Sequence, residues 1–319
     1  MERPSVNGAR RRRRQFGYHD DDGNVGTEIA IKNAYVALRT PVGNGIDWKV
    51  GVFDSVVGYE AFEAGNNPNF TRSWGYAIEP KVHTGILATY RVNDNISLAA
   101  GVANTLMPGI NTRNVEFDVD EGDDTEDIRT LWRKTYMGSI ALTAPDDWGF
   151  LSGSTLYAGL VGGFAGGTED QHNYYAGATI NTPVTGLKTG IAFDYVDHRG
   201  GRSGVNTDYD YRDDAWTLGL YASYQATEKL SVHGRAEYGD NKYSFRYPGY
   251  YTDRGHERIV SLTGTVQYDL WKNVITRIEA RWDQMQTKGN YSYDEDGSGS
   301  YKYVDATAVG LYANIIYKF

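Results

Sequence analysis

The chain of 319 residues contains no cysteine. That absence rules out a thiol nucleophile, a disulfide framework and a cysteine-based zinc site. Nor is there a run of about 18 apolar residues, so no transmembrane helix is available. No segment shows a convincing 3.6-residue apolar period, the signature of an amphipathic helix. The mean hydropathy of -0.55 resembles that of a soluble protein. A barrel that crosses a membrane with strands needs apolar residues only at alternate positions, so a low mean does not argue against one.

Basic charge is scarce outside one stretch. The net charge is -9, from 41 acidic and 32 basic residues. Arg3 and Arg10 to Arg14 all lie within residues 1–16, opposed there by Glu2 alone, so the remaining body is more acidic than the total suggests. A body of that sign argues against a duplex nucleic-acid partner, because phosphate binding needs a basic face. Residues 1–16 read as a basic, disordered leader or a mis-assigned start; a nucleic-acid or membrane-surface tail is the other reading. Lacking an apolar core, they are not a secretory signal peptide.

What the chain has is alternation. In "KNVITRIEARWDQM" (272–285), Val274, Thr276, Ile278, Ala280 and Trp282 interleave with Arg277, Glu279, Arg281 and Asp283. A two-residue period marks a β-strand with one apolar and one charged face. About thirteen such strands are expected, near 27–39, 46–57, 81–92, 96–104, 134–144, 154–164, 172–182, 187–197, 214–225, 229–239, 258–270, 273–283 and 304–319. Most run about 9 to 13 residues, longer than the usual 5 or 6 of soluble proteins and matched to a tilted bilayer crossing. The first strand carries Lys32 and Arg39 on opposite faces, so a bulge is expected there.

The connections alternate in length. "PVGNG" (41–45), "NDN" (93–95), "PVTG" (183–186), "ATEK" (226–229) and "WKN" (271–273) are short, with "PDDWGFLSG" a little longer. Segments 58–80, 105–133, 198–213, 240–257 and 284–303 are long and polar, and 165–171 is the short exception among them. Tight turns at one end and excursions at the other are the asymmetry of outer-membrane barrels. Trp48, Tyr90, Trp216, Tyr224, Tyr238, Tyr268, Trp282 and Tyr317 sit at the ends of the apolar runs, where aromatic girdles meet the two membrane interfaces. The expected fold is therefore all-β: one antiparallel up-and-down transmembrane barrel over residues 17–319, apolar face to lipid and charged face to a water-filled lumen. A closed barrel pairs every backbone N–H and C=O and leaves no edge in lipid.

The last strand, "VDATAVGLYANIIYKF", puts Val309, Leu311, Ala313, Ile315, Tyr317 and Phe319 on one face. Its aromatic end resembles the C-terminal signal read by the outer-membrane assembly machinery, with Tyr317 and Phe319 as the signal residues. Thirteen is odd and single-chain bacterial barrels are even. An N-terminally truncated chain, with 14 or more strands in the full-length protein, is the expectation.

Residues 34 to 104 resemble the putative β-barrel porin-2 (OmpL-like) family. The resemblance is carried by the "PVGNG" turn, by "GYE" after the second strand, by "NPNFTRSWGYAIEP" and by "HTGILATYRVNDNISLAAGVANT". It implies a bacterial outer-membrane porin.

The expected function is passive diffusion of small polar solutes or ions, with Lys49, Lys188, Asp194, His233, Arg235, Glu237, Arg277, Glu279, Arg281 and Asp283 facing the lumen. These charges form either a selectivity lining or cross-strand salt-bridge ladders that stiffen the wall. The loop "GYEAFEAGNNPNFTRSWGYAIEP" (58–80) is either a constriction folded into the lumen, with Glu60, Glu63, Arg72 and Glu79 setting its field, or a surface loop packed on its own aromatics. A structural or ligand-binding barrel, a receptor or adhesin acting through its long loops, is the alternative function.

The acidic stretches "DVDEGDDTED" (118–127) and "YDEDGSG" (293–299) lack the full Ca²⁺-loop spacing and read as solvated loops. No metal site and no cofactor is expected. The six histidines, at 19, 83, 172, 198, 233 and 256, are scattered, and no phosphate loop stands at a strand–helix junction, so no enzyme is expected. The expected partners are outer-membrane lipid and lipopolysaccharide, the barrel-assembly machinery, small solutes and a second copy of the chain in a homo-oligomer.

Overall fold

The computed structural model describes residues 32–106, 114–119, 126–131, 134–166, 169–200, 211–241, 257–293 and 299–318. Thirteen strands form one antiparallel sheet in which each pairs with its neighbour along the chain. They are β1 (Ala34–Thr40), β2 (Ile46–Asp54), β3 (Val82–Arg91), β4 (Ile96–Ala103), β7 (Thr135–Thr143), β8 (Thr155–Gly166) and β9 (Glu169–Asn181), then β10 (Leu187–Gly200), β11 (Tyr211–Gln225), β12 (Leu230–Asn241), β13 (Glu257–Trp271), β14 (Val274–Tyr293) and β15 (Gly299–Tyr317). A separate two-stranded hairpin, β5 (Asn114–Val119) with β6 (Glu126–Leu131), stands in the connection from β4 to β7. That hairpin falls within a stretch read from sequence as loop. Its acidic residues masked the strand pattern, since Asp and Glu are poor strand formers.

Several excursions are shorter than the sequence pattern implies, because the strands grow into them. β14 and β15 extend into residues 284–303 as a paired ribbon, from Val274↔Tyr317 to Tyr293↔Gly299. The first strand is shorter than expected and begins at Ala34, so Lys32 stands outside it and the two-face conflict with Arg39 does not arise. Residues 1–31 and Phe319, with the leader and His19, lie outside the described residues, as do His256 and most of the two acidic stretches.

The sheet is inside out relative to a soluble sandwich. Along β13, Glu257, Ile259, Ser261, Thr263 and Thr265 are buried, while Arg258, Val260, Leu262, Gly264 and Val266 are exposed. Leu262, Ile278 and Leu311 are exposed by 51%, 68% and 79%. Burial thus follows the polar face, and the apolar face is left for lipid, as strands that enclose a lumen require. Rings gather on the outer face toward the long-loop end: Phe193, Trp216 and Tyr238 lie in sequence at centroid distances of 6.2 and 5.5 Å. Amphipathic rings at that level suit the membrane interface.

Tight turns close the short end, and Gly43 and Gly45 take the positive φ that the first of them demands. The edge strands β1 and β15 are not hydrogen-bonded to each other. Both run from the long-loop end to the short-turn end, so a direct pairing between them would be parallel.

Candidate functional site: a loop clasped across the inner face

After Asp54 the chain does not turn straight back into β3. Residues 55–81 leave β2, cross the inner face of the sheet as far as β15, and return. Val56 and Val57 start the crossing on an apolar patch of Phe53, Leu87, Ala103, Leu106, Met137 and Val161, contributed mainly by β2, β3, β4, β7 and β8. Tyr59 then lies on β10 and β11, its ring stacked on Tyr221 at 4.1 Å. It fits because residue 190 is glycine: a Cβ there would stand 1.9 Å from the Tyr59 hydroxyl. At the far end a Cβ on Gly65 would meet Lys318 and Ile316 beside β15.

The crossing is held by charge. Glu60 meets Arg235 of β12 at 2.8 Å and accepts the Ser73 N–H at 3.0 Å. Arg277 of β14 donates to the carbonyls of Ala64 and Asn67, at 2.9 and 2.7 Å. Asn67 also closes the tip on itself, accepting from Ala61 N and donating to Ala61 O, each at 2.7 Å.

The return leg is pinned more densely. Asn69 donates to Thr265 at 2.8 Å. Glu279 accepts the N–H groups of Phe70 and Thr71, at 2.5 and 2.8 Å, and the Thr265 hydroxyl at 2.6 Å. Arg235 donates to Thr71 O and Arg72 O, and Arg281 to Arg72 O at 2.6 Å. Glu237 accepts from Trp74 N at 2.5 Å, and Asp283 from the Trp74 indole at 3.0 Å. Ser73 caps a single helical turn, α1 (Trp74–Ile78), by accepting from Tyr76 N. Trp74 and Ile78 of that turn pack on Ile259 and Met285. Asn173 of β9 donates to Ile78 O at 2.8 Å.

The wall charges therefore pair along their own strands and with the loop. Arg235 with Glu237 and Arg281 with Asp283, each at 2.8 Å, are neighbours on one strand. The described ion pairs include no bridge between β12 and β14, because β13 stands between them with Thr263 and Thr265.

Lys49 and Lys188 are not under the loop. The Lys49 ammonium sits 4.8 Å over the Tyr35 ring, and Lys188 is exposed. His233 lies between two hydroxyls, Ser223 at 2.9 Å and Ser231 at 3.0 Å. Tyr317 is exposed at the short-turn end of β15.

Between the two legs lies a cavity of ≈ 260 Å³, lined among others by Asp54, Tyr59, Glu63, Tyr76, Glu79 and Lys81. Lys32 joins Asp54 and Glu63 at its rim, and its ammonium is 4.6 Å from the exposed Phe62 ring. The Tyr76 ring takes two cations, Lys81 at 3.4 Å and Arg72 at 4.9 Å. Burial pushes the Lys81 ammonium below its ordinary value, against the pull of Glu79 at 3.1 Å. Among the described residues no group of three or more His, Asp or Glu is placed to hold a metal ion.

Sequence reasoning did not single out Asn69, Thr71, Asn173, Thr263 or Thr265 as partners in this arrangement. The two threonines had a signal: on β13 they occupy the same face as Ser261 and Gln267, where outward neighbours are aliphatic.

An antiparallel sheet with an aliphatic outer face, a charged inner face and a loop folded over that inner face defines a β-barrel porin of the bacterial outer membrane. More narrowly, the chain belongs to the family described as putative beta-barrel porin-2, OmpL-like, whose model matches residues 5–319. Solved structures share the fold. The outer membrane channel DcaP of Acinetobacter baumannii is 11% identical, with a TM-score of 0.51 over 87% of this chain and 83% of that one. OmpT of Vibrio cholerae, in a trimer form, is 12% identical, with a TM-score of 0.52 over 91% and 80%. Among curated proteins no relative matches the sequence.

Proposed function

We propose that this porin passes small polar solutes or ions by diffusion through a water-filled lumen that residues 55–81 narrow. The observation that carries the reading is the course of the loop, which spans the inner face from β2 to β15 and returns. Glu63 and Lys81 of the loop, with Asp54 at the end of β2 and Lys32 ahead of β1, stand around the cavity between its legs. Groups of both signs beside a narrow passage act on solutes through charge as well as size. Transport of this kind needs no covalent step and no cofactor.

The rest of the assembly follows from barrel physics. The aliphatic outer face meets lipid and lipopolysaccharide. The C-terminal segment, whose sequence carries Tyr317 and Phe319, engages the assembly machinery. Antiparallel closure takes an odd number of further strands between β1 and β15, since no edge is left open in a bilayer. Vibrio OmpT is described in a trimer form, and a homo-oligomer is proposed here too. Planar-bilayer recording of the purified protein tests the reading. Ohmic, ion-sized steps are expected; a barrel that inserts and never conducts overturns it in favour of a structural or ligand-binding barrel.

A further inference from the structure

We propose that Glu237 and Glu279 are positioning residues of the pore: they hold the loop backbone across the lumen and so set the aperture. This rests on the porin reading above.

The loop has little backbone pairing of its own. Outside α1, its backbone–backbone bonds are Ser55 N to Lys81 O at the base, and Asn66 N to Glu63 O and Asn67 N to Ala64 O at the tip. An irregular segment placed inside a barrel still has to satisfy its amides and carbonyls. The wall does this by sign. Carboxylates, which only accept, take the N–H groups: Glu279 takes residues 70 and 71, Glu237 takes 74, and the loop's own Glu60 takes 73. Guanidinium groups, which only donate, take the carbonyls: Arg277 those of 64 and 67, Arg235 those of 71 and 72, and Arg281 that of 72 as well. The alternating charges of β12 and β14 thus match the alternating polarity of a peptide backbone. Thr263 and Thr265 on the strand between supply short side chains that leave room for it.

Burial separates this role from a selectivity lining. Glu237 and Glu279 are exposed by 4% and 1%, and a group sealed from the lumen water acts on ions only weakly through contact. Glu279 has both oxygens committed, to Phe70, Thr71 and Thr265, and Glu237 accepts from Trp74 with one oxygen while the other faces the Arg235 guanidinium at 2.8 Å.

The test uses the absence of cysteine in the chain. Asn69, exposed by 1% and bonded to Thr265, reports on the loop when replaced as N69C. In an N69C background, E237A/E279A is expected to raise the rate of labelling by a membrane-impermeant maleimide at least about tenfold. The single-channel step is expected to grow at least about twofold. Retained heat-modifiable gel migration shows that the barrel is still folded. A short bifunctional thiol cross-linker joining N69C to T265C in the E237A/E279A protein is expected to return the step to the parent size. Restoration by a cross-link that replaces no charge is what a holding role predicts and a direct electrostatic role does not. The proposal is overturned if labelling and step size stay at parent values, including the case in which only the reversal potential moves. If labelling rises while no version conducts, the holding role stands and the porin reading is the one that fails.

Discussion

Arg235 and Glu60 meet at 2.8 Å although 175 residues separate them in sequence, and their side chains are exposed by 0% and 1%. An ion pair so fully desolvated is stable only as a set, because the attraction must offset what both groups lose on leaving water. Here the set is Arg235 with Glu60 and Glu237. Through its terminal nitrogens Arg235 donates to Glu60, Thr263 and the loop carbonyls; its Nε lies 2.8 Å from a Glu237 oxygen as an ion pair, and Glu60 accepts from Ser73 with its second oxygen.

Removing the cation alone should therefore do more harm than removing the group. R235M leaves Glu60 and Glu237 buried without their partner. The expected loss is about 3–5 kcal/mol, the usual size for one half of a buried pair. R235M/E60Q/E237Q should recover a good part of it. Urea unfolding of the folded barrel in lipid vesicles gives both numbers. A single variant as stable as the triple one would mean that the three groups are not coupled.

The barrel was legible in the sequence because its evidence is local. Ile278 beside Arg277 and Glu279 already states the two faces of β14, and the turn "PVTG" already states a tight reversal. The loop's destination was not legible. Glu60 has several inner-face arginines to choose among, and nothing in "GYEAFEAGNNPNF" says that Arg235 is the one it reaches. The same charges had an equally good reading as ladders between strands. What decides is β13: placed between β12 and β14, it keeps Arg235 and Glu279 apart and leaves them to the loop. The β5–β6 hairpin was missed for a related reason, since its strands are acidic and its pairing is with itself alone.

The outer face allows a sharper test of the membrane reading. Ile278 is 68% exposed on β14, between Val266 and Ala313 on the neighbouring strands and between the levels of Trp282 and Tyr268. An exposed position on a soluble protein tolerates most substitutions within about 0.5 kcal/mol. I278R should instead cost roughly 2–4 kcal/mol, the penalty for a cation at bilayer mid-depth. The measurement is again the unfolding free energy in vesicles. A neutral result would place water, not lipid, against this face.

Close approach at β10 gives a steric prediction. With a side chain at 190, the Tyr59 hydroxyl loses its place, and the ring leaves its stack on Tyr221. G190V should destabilise by about 1–3 kcal/mol, as overpacked sites do. In a Y59A background the same substitution should cost almost nothing, because the obstacle is gone. A double-mutant cycle on vesicle unfolding free energies reads this difference, and additive effects would show that Tyr59 does not lie over Gly190.

The free edge of the loop should govern ion preference. Glu63 is half exposed there and paired with Lys32, with Asp54 also within reach of that ammonium. E63K replaces a negative charge with a positive one beside the cavity, so the reversal potential in a salt gradient should move toward anions. The hydrogen bond from Lys32 holds the Glu63 carboxyl below its ordinary value. The sign follows directly. A depressed carboxylate keeps its ion pair at all pH values above the ordinary glutamate range near about 4.3, and loses it only as pH falls through the lower folded value. Ion selectivity should therefore be flat from about pH 7 down to about pH 5 and should change only in stronger acid. Parent protein whose selectivity already drifts between those two values would show that Glu63 titrates freely and that Lys32 does not hold it.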